Sequence, residues 1–433
     1  MWEPLLSRYQ SGYGEQIASG NCYQNWLGIQ TDRNLFPTVD FQDIDTFRRV
    51  PYADDGVYGS SSEYAAIILA LEMRANKFSF SVVELGAGWG PWISAGGVLA
   101  KREGVEEITL VGVEADEGRC EAMESHLRRN KLWSDDGIHS SVKHGAAWDE
   151  DKTVYFGVSD PMADHGSAAS AQMSDSDYRG RTITRVAVPA MTIETICAGM
   201  ESIDCMHWDI QGSEYDVAVS SLEFLNQHAR VIFVGTHSLK IHGSVVELFA
   251  ENGWEIVYQN PPTFKYKPGA ASFMDMHTTD GELVVINRNL IKHQKYDRVF
   301  SAGEMATQTA VSAEGLKVSN RQRGFVAYGP YQRVPPGDYR VTFRYSSDAG
   351  TEEIIGWVDF TACSPEAAFS LAKTEVFGTN GKVNEVGVDA TISDYGVAFE
   401  GRLFSEGTST VTLLSVHLLE QEDAMVEAAS KKD

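Results

Sequence analysis

The residues best suited to chemistry stand in Ser81-Val-Val-Glu84-Leu-Gly86-Ala87-Gly88-Trp-Gly90-Pro-Trp92, where an apolar run ends in an acid and three alternate glycines lead into helical spacing. Glycines let the backbone approach a polar ligand, and the start of the next helix offers unpaired N–H groups to the ligand's negative end. Pro91 suits the first helical position. A dinucleotide fold wants G-x-G-x-x-G, but the frame from Gly86 and Gly88 meets Pro91 where the third glycine belongs. The segment therefore predicts a strand turning into a nucleotide-binding loop of another kind, with a ligand-free structural turn as the plain alternative.

A second apolar run, Ile108-Thr-Leu-Val-Gly-Val-Glu114, again ends in an acid. An acid at the tip of the second strand of a nucleotide-binding α/β fold is placed to hold both ribose hydroxyls. Asp116 to Leu132 then has helical spacing, with Cys120, Met123 and Leu127 on one face and Arg128, Arg129 and Lys131 near the end, where cations suit the helix dipole.

A third cluster is Met206-His207-Trp208-Asp209-Ile210-Gln211-Gly212-Ser213-Glu214-Tyr215. Its strand delivers Asp209 to the sheet edge where open α/β folds bind ligands, and the next strand, Val231-Ile-Phe-Val-Gly-Thr-His237, delivers His237 to the same edge. Histidine titrates near neutrality, so His237 and His207, with Asp209, are candidates for removing a proton. Taken singly, each is more often a buried, hydrogen-bonded residue than a catalyst, and their meeting at one sheet edge is what favours the catalytic reading. The same three could bind a divalent cation that acidifies a hydroxyl, although their spacing is not a recognised ligand pattern and no metal is expected.

The form E-x-G-x-G-x-G resembles motif I of the S-adenosylmethionine (SAM) methyltransferases. Glu84-Leu-Gly-Ala-Gly-Trp-Gly90, Gly112-Val-Glu114-Ala115-Asp116, Gly145-Ala146-Ala147-Trp148 and Asp209-Ile-Gln-Gly-Ser-Glu214 occur in the order and spacing of the FkbM-like methyltransferases. The likeness spans roughly residues 60 to 288. It implies a Rossmann-like fold, SAM as cofactor and O-methylation of a sugar or glycosylated metabolite. It also implies a cofactor site of Glu84, Gly86, Ala87, Gly88, Gly90, Glu114, Ala115, Ala146, Ala147 and Asp209, with Glu114 on the ribose and Ala146 and Ala147 beside the adenine. Glu214, Gln211 and Glu63 would contact the acceptor. His207 stands where the family commonly has lysine and Gln211 where it has glutamate, and if either position orients the acceptor or tunes a base, the substrate or the mechanism departs from the family's. Methylation of an amine or carboxyl, or glycan binding without turnover, are the alternatives.

Composition sets limits on these readings. A formal charge of −25 over 433 residues disfavours a nucleic-acid groove or an anionic membrane surface, both bound mainly through lysine and arginine. The five cysteines are scattered, with no C-x-x-C pair, as expected of reduced thiols. No apolar run reaches membrane-spanning length and no leader pattern opens the chain, so the sequence reads as soluble and cytoplasmic.

To position the motifs, residues 1–60 are expected to form a cap of short helices and loops. Residues 61–292 alternate strands and helices, implying a mostly parallel sheet covered on both faces. Ser60-Ser-Ser-Glu63 would start the first helix, with Glu63 as a dipole partner in its first turn. Residues 296–421 carry short β runs and turn residues, as in Pro335-Pro-Gly-Asp-Tyr-Arg-Val-Thr-Phe-Arg-Tyr345, and read as a jelly-roll-like sandwich followed by a tail, 422–433. The sandwich would pack, form a homo-oligomer, or bind glycan through Trp357, Tyr328, Tyr331 and Tyr345.

Overall fold

The computed structural model describes residues 2–11, 21–36, 39, 57–133, 136–158, 169–170, 184–269, 276–291, 296–313, 315–334, 337–363, 368–392 and 398–421. The chain divides into two compact units, residues 2–292 and residues 293–433, with Met1 counted in the second.

The first unit is built on a seven-stranded sheet. Its strands are β1 (Ser79–Leu85), β2 (Glu107–Glu114), β3 (Ile138–His144), β4 (Ile203–Trp208), β5 (Ala229–Thr236), β6 (Trp254–Asn260) and β7 (Gly281–Asn287), in the order β3-β2-β1-β4-β5-β7-β6. Neighbours pair in parallel from β3 to β5, and β7 runs antiparallel to both β5 and β6. β1 and β4 are buried almost throughout, as expected of strands covered on both faces. The chain lays down β2 and β3 on one side of β1 and then returns to place β4 on the other. That reversal opens a crevice at the C-terminal ends of β1 and β4, where ligands bind in open α/β sheets.

The helix Ser61–Glu72 starts at a capping box in which the Ser60 hydroxyl and the Glu63 carboxylate satisfy each other's backbone N–H groups. After β4 the chain forms two helices, Glu214–Ser220 and Leu222–His228, and after β5 the helix Leu239–Glu251, capped by the Ser238 hydroxyl on Ile241 N. Of the N-terminal cap, the helix Glu3–Arg8 and the hairpin Cys22–Gln24/Gln30–Asp32 are described, and residues 12–20 and 40–56 lie outside the described residues. No helix among the described residues is long and apolar enough to cross a membrane.

Two strands expected in the alternating pattern leave the main sheet. Lys152–Val158 and Thr184–Met191 pair antiparallel and, with Ala146–Ala147 and Ala169–Ser170, make a separate four-stranded sheet. Thr184–Met191 is exposed at every other position toward its end, which suits a sheet with one wet face. Its dry face packs Val154, Phe156, Val188 and Ala190 against Ala115 and Ala146.

The second unit is a sandwich. One sheet contains Val311–Ala313, Leu316–Asn320, Thr410–Glu420, Gly337–Ser347 and Val383–Ile392, with Asp297–Ser301 also on Thr410–Glu420. The other contains Arg323–Ala327, Ala398–Glu406, Ile354–Cys363 and Ala368–Phe377, with Pro330–Arg333 also on Ala398–Glu406. Alternate residues of Gly337–Ser347 (Tyr339, Val341, Phe343, Tyr345) meet Val358, Phe360, Phe399 and Leu403 of the facing sheet in one core. Glu420 is the last strand residue and accepts a bond from Tyr296 N. Residues 422–433 lie outside the described residues.

Candidate active site at the strand ends

The loop after β1 is shaped by glycine. Gly86 has φ +70°, and a Cβ there would lie 1.9 Å from the backbone oxygen of Asp209, so the loop after β4 can approach only because residue 86 has no side chain. Gly88 also has positive φ, but a Cβ on it would meet open space, which leaves its backbone approachable. Glu84 and Glu114 hold the loop from two sides. Glu84 is buried, and its Oε2 accepts from Trp92 N (3.1 Å) and Ile93 N (2.9 Å), capping the helix Pro91–Arg102. Burial raises its pKa well above the usual carboxylate value, against those two bonds. Glu114 accepts from Gly88 N (2.7 Å) on Oε2 and Asp116 N (2.8 Å) on Oε1. Each of its oxygens keeps acceptor capacity for a further donor.

A cleft opens beside this loop. It is lined by Gly86, Glu114, Ala115, Ala146, Ala147, Asp209 and Gln211, all singled out from the sequence, together with Arg119, Trp148, Phe156, Ala169 and Ile210. Glu84, Ala87, Gly88 and Gly90 do not line it. Gly90 has φ +74° and packs a would-be Cβ 2.6 Å from Met123 Cγ, which makes it a helix-entry residue. Phe156 and Ala169 come from the separate small sheet, whose packing over Ala115 and Ala146 brings them to the cleft.

Asp209 follows the end of β4, its N–H bonded to Leu85 O (2.9 Å). Its side chain is 46% exposed, and Oδ1 takes two donors, Gln211 Nε2 (2.8 Å) and His237 Nε2 (3.2 Å). The other ring nitrogen of His237, Nδ1, lies 2.6 Å from Glu214 Oε1, which also accepts from Gly212 N (2.9 Å). Burial works against a charge on His237, yet its bonds to Asp209 and Glu214 hold its pKa well above the ordinary imidazole value. Burial is the largest influence on Asp209 and pushes it up, but the bond and charge of His237, with His207 and Gln211, together outweigh it and hold the carboxyl below its usual range.

Three expectations need correction. His237 is not placed as a free base at neutral pH, because both nitrogens are engaged by carboxylates that favour the imidazolium. Glu214 is fully buried against His237 and does not line the cleft. His207 is not brought to the cleft. Its Nε2 bonds Glu63 Oε1 (3.0 Å), and its ring lies between Phe233 (4.8 Å, 6°) and Trp92 (5.3 Å, 26°). Glu63 is thereby occupied with the helix cap and His207, which leaves Gln211 as the cleft-lining member of the expected acceptor set. Among the described residues, no group of three or more His, Cys, Asp or Glu side chains is arranged to hold a metal ion.

No protein-family model matches the chain. A putative methyltransferase of Jannaschia sp. (strain CCS1) is 26% identical over 250 residues, covering 56% of this chain and 86% of that protein. Among solved structures, a precorrin-6y C5,15-methyltransferase from Geobacter metallireducens GS-15 aligns with a TM-score of 0.30 and 8% identity, over 58% of this chain and 97% of that one. A carbohydrate-binding module of Cellvibrio mixtus lichenase 5A, solved with cellotriose, aligns with a TM-score of 0.22 and 14% identity, over 29% of this chain and 98% of that one. Both scores are low, and the fold class rests on the strand orders and registers given above. The likeness in sequence to a putative methyltransferase, together with a cleft at the switch point of a seven-stranded sheet, supports a methyltransferase.

Proposed function

We propose that the chain is a SAM-dependent O-methyltransferase of FkbM-like type acting on a sugar or glycosylated metabolite. The observation that carries the cofactor is the meeting of Glu114, Gly86, Ala146, Ala147 and Asp209 around one cleft. The residues fit the group: an acid with spare acceptor capacity for ribose hydroxyls, a glycine at Gly86 that leaves backbone without a side chain at the cleft, and small side chains at Ala146 and Ala147 beside a flat base. When bound, SAM supplies an electrophilic methyl group, and what remains for the protein is to hold the acceptor oxygen in line and receive its proton. Asp209 and Gln211 stand in the cleft for that part.

The hydroxyl acceptor rests on the resemblance of the Asp209–Glu214 block to that family. The sandwich adds little to it. Trp357 is stacked by Phe404 of one neighbouring strand (5.0 Å, 9°) and by the Lys373 ammonium of the other (3.8 Å), so a sugar ring finds no open face there. Tyr345 is buried with its hydroxyl on Phe377 O, whereas Tyr331 is 52% exposed.

Titration calorimetry should show SAM binding to the whole chain. Glu114→Ala should weaken it about ten- to a hundredfold, the loss expected for hydrogen bonds to a charged acceptor. Unchanged affinity would remove the ribose from Glu114. Mass spectrometry of p-nitrophenyl pyranosides incubated with SAM and the protein should then reveal a base-stable ether, and a base-labile ester or a methylamine from other acceptors would replace the O-methyl reading.

A further inference from the structure

The strand-end cluster is more specific than a set of polar groups near a cleft. His237 bridges two carboxylates of opposite exposure: Asp209, 46% exposed, and Glu214, fully buried. Both side-chain bonds to Asp209 fall on Oδ1. Glu214 Oε1 carries two donors while its Oε2 is buried with no partner among the described residues. A carboxylate buried with one oxygen bare is costly to desolvate, by several kcal/mol, and a positive charge beside it offsets that cost. The 2.6 Å separation from His237 Nδ1 is at the short limit of charge-assisted bonds.

We infer that Glu214 and His237 are positioning residues which fix Asp209, through its Oδ1, as the carboxylate that receives the acceptor's proton during methyl transfer. The inference rests on the methyl-transfer reading above. As the acceptor oxygen forms its bond to the methyl carbon, the carbon–sulfur bond breaks and its electron pair leaves on sulfur. The acceptor O–H becomes that of an oxonium, a strong acid. Its proton passes to Asp209, and the acceptor oxygen keeps the O–H pair as the ether. A carboxylate with a depressed pKa is basic enough for so acidic a group, and it then returns the proton readily to water. The groups that face this pair are His237 and Gln211 on Asp209, and Asp209 and Glu214 on His237, with His207 and Glu84 acting on Asp209 at longer range.

The test is a histidine NMR titration of the full chain, first with neither SAM nor acceptor present. In the wild type, His237 should remain imidazolium through pH 8. In Glu214→Gln its titration should fall toward the neutral range, and with a pyranoside acceptor kcat should drop about tenfold or more while KM and SAM affinity stay within about twofold. The wild-type kcat should be level from pH 6 to 9. A wild-type His237 that titrates like a free imidazole, or a kcat that rises with pH through one ionisation near neutrality, would overturn the inference and restore histidine as the base. If Glu214→Gln fails to fold, the wild-type titration alone decides. Loss of the SAM reading would appear separately, as no heat of binding with the titration unchanged.

Discussion

The two units treat buried charge in opposite ways. In the sandwich, Asp359 lies directly across from Arg402 on paired strands, and Arg402 Nε and Nη2 take its two oxygens at 2.8 and 2.5 Å. Glu400, one step along, takes the Tyr331 hydroxyl and the Cys363 thiol. In the α/β unit, the buried polar groups converge on the strand ends and stay incompletely matched among the described residues: Glu214 Oε2 and His207 Nδ1 have no partner there, and Glu84 is buried with two backbone donors on one oxygen. Ions that satisfy one another across a register hold a scaffold together. Ions gathered at a switch point, half exposed and partly unmatched, are what a site needs, since a ligand must find groups still able to bind.

The contrast is broken most directly in the sandwich. Phe360 is fully buried between sheets and packs edge-on against Phe399 (4.9 Å). Phe360→Ala should cost that unit about 3–5 kcal/mol, the range for truncating a buried phenylalanine. If the units serve separate purposes, calorimetry should show one transition shifted down and SAM affinity unchanged. Loss of SAM binding would mean that the sandwich supports the site.

A middle-sized effect is expected at Gly86. Alanine there must hold a left-handed φ of +70° and accommodate a Cβ 1.9 Å from Asp209 O, together about 3 kcal/mol from strain and overpacking. Since relief can come only from moving the loop after β4, SAM affinity should fall with stability. A mutant that is destabilised but binds SAM normally would separate the loop contact from the site.

Legibility in the sequence follows from how local each cause is. Glu84, the glycines and Glu114 could be read because an apolar run, an acid and a turn are neighbours in the chain, and Asp209 and Gln211 because their strand ends beside them. Phe156 and Ala169 could not be assigned to the cleft. Periodicity marks a strand, but nothing in Lys152–Val158 says that it leaves the main sheet and folds over Ala115 and Ala146. His207 and Asp209 are two apart and would share a face if β4 continued, but the strand stops at Trp208, so alternation places His207 between rings and says nothing of Asp209. What packs on Trp357 is not legible for a similar reason. Its availability is decided by Phe404 and Lys373 on other strands, and register is not written in one strand's composition.

The smallest effect probes how much strain the strand-end charges impose on the empty fold. Glu84 has its pKa raised by burial, with Glu63 and Asp209 adding repulsion. A carboxyl whose folded pKa lies above its unfolded value contributes most stability below the unfolded value, where it is neutral in both states, and loses that contribution as pH rises through the folded pKa. Glu84→Gln keeps an oxygen for Trp92 N and Ile93 N and removes the charge. The mutant and wild type should therefore melt alike near pH 4, and the mutant should gain on the wild type toward pH 8, by the order of 1 kcal/mol. The matching substitution in the sandwich, Asp359→Asn, should instead lower stability by a similar amount at every pH in this range, because it removes the partner of the partly buried Arg402. Thermal melts of both mutants from pH 4 to 8 would show one difference that grows with pH and one that does not. A Glu84→Gln difference as flat as that of Asp359→Asn would mean that the crowded acids at the switch point are as well compensated as the ion pair in the sheet, and the distinction between scaffold and site would have to rest on geometry alone.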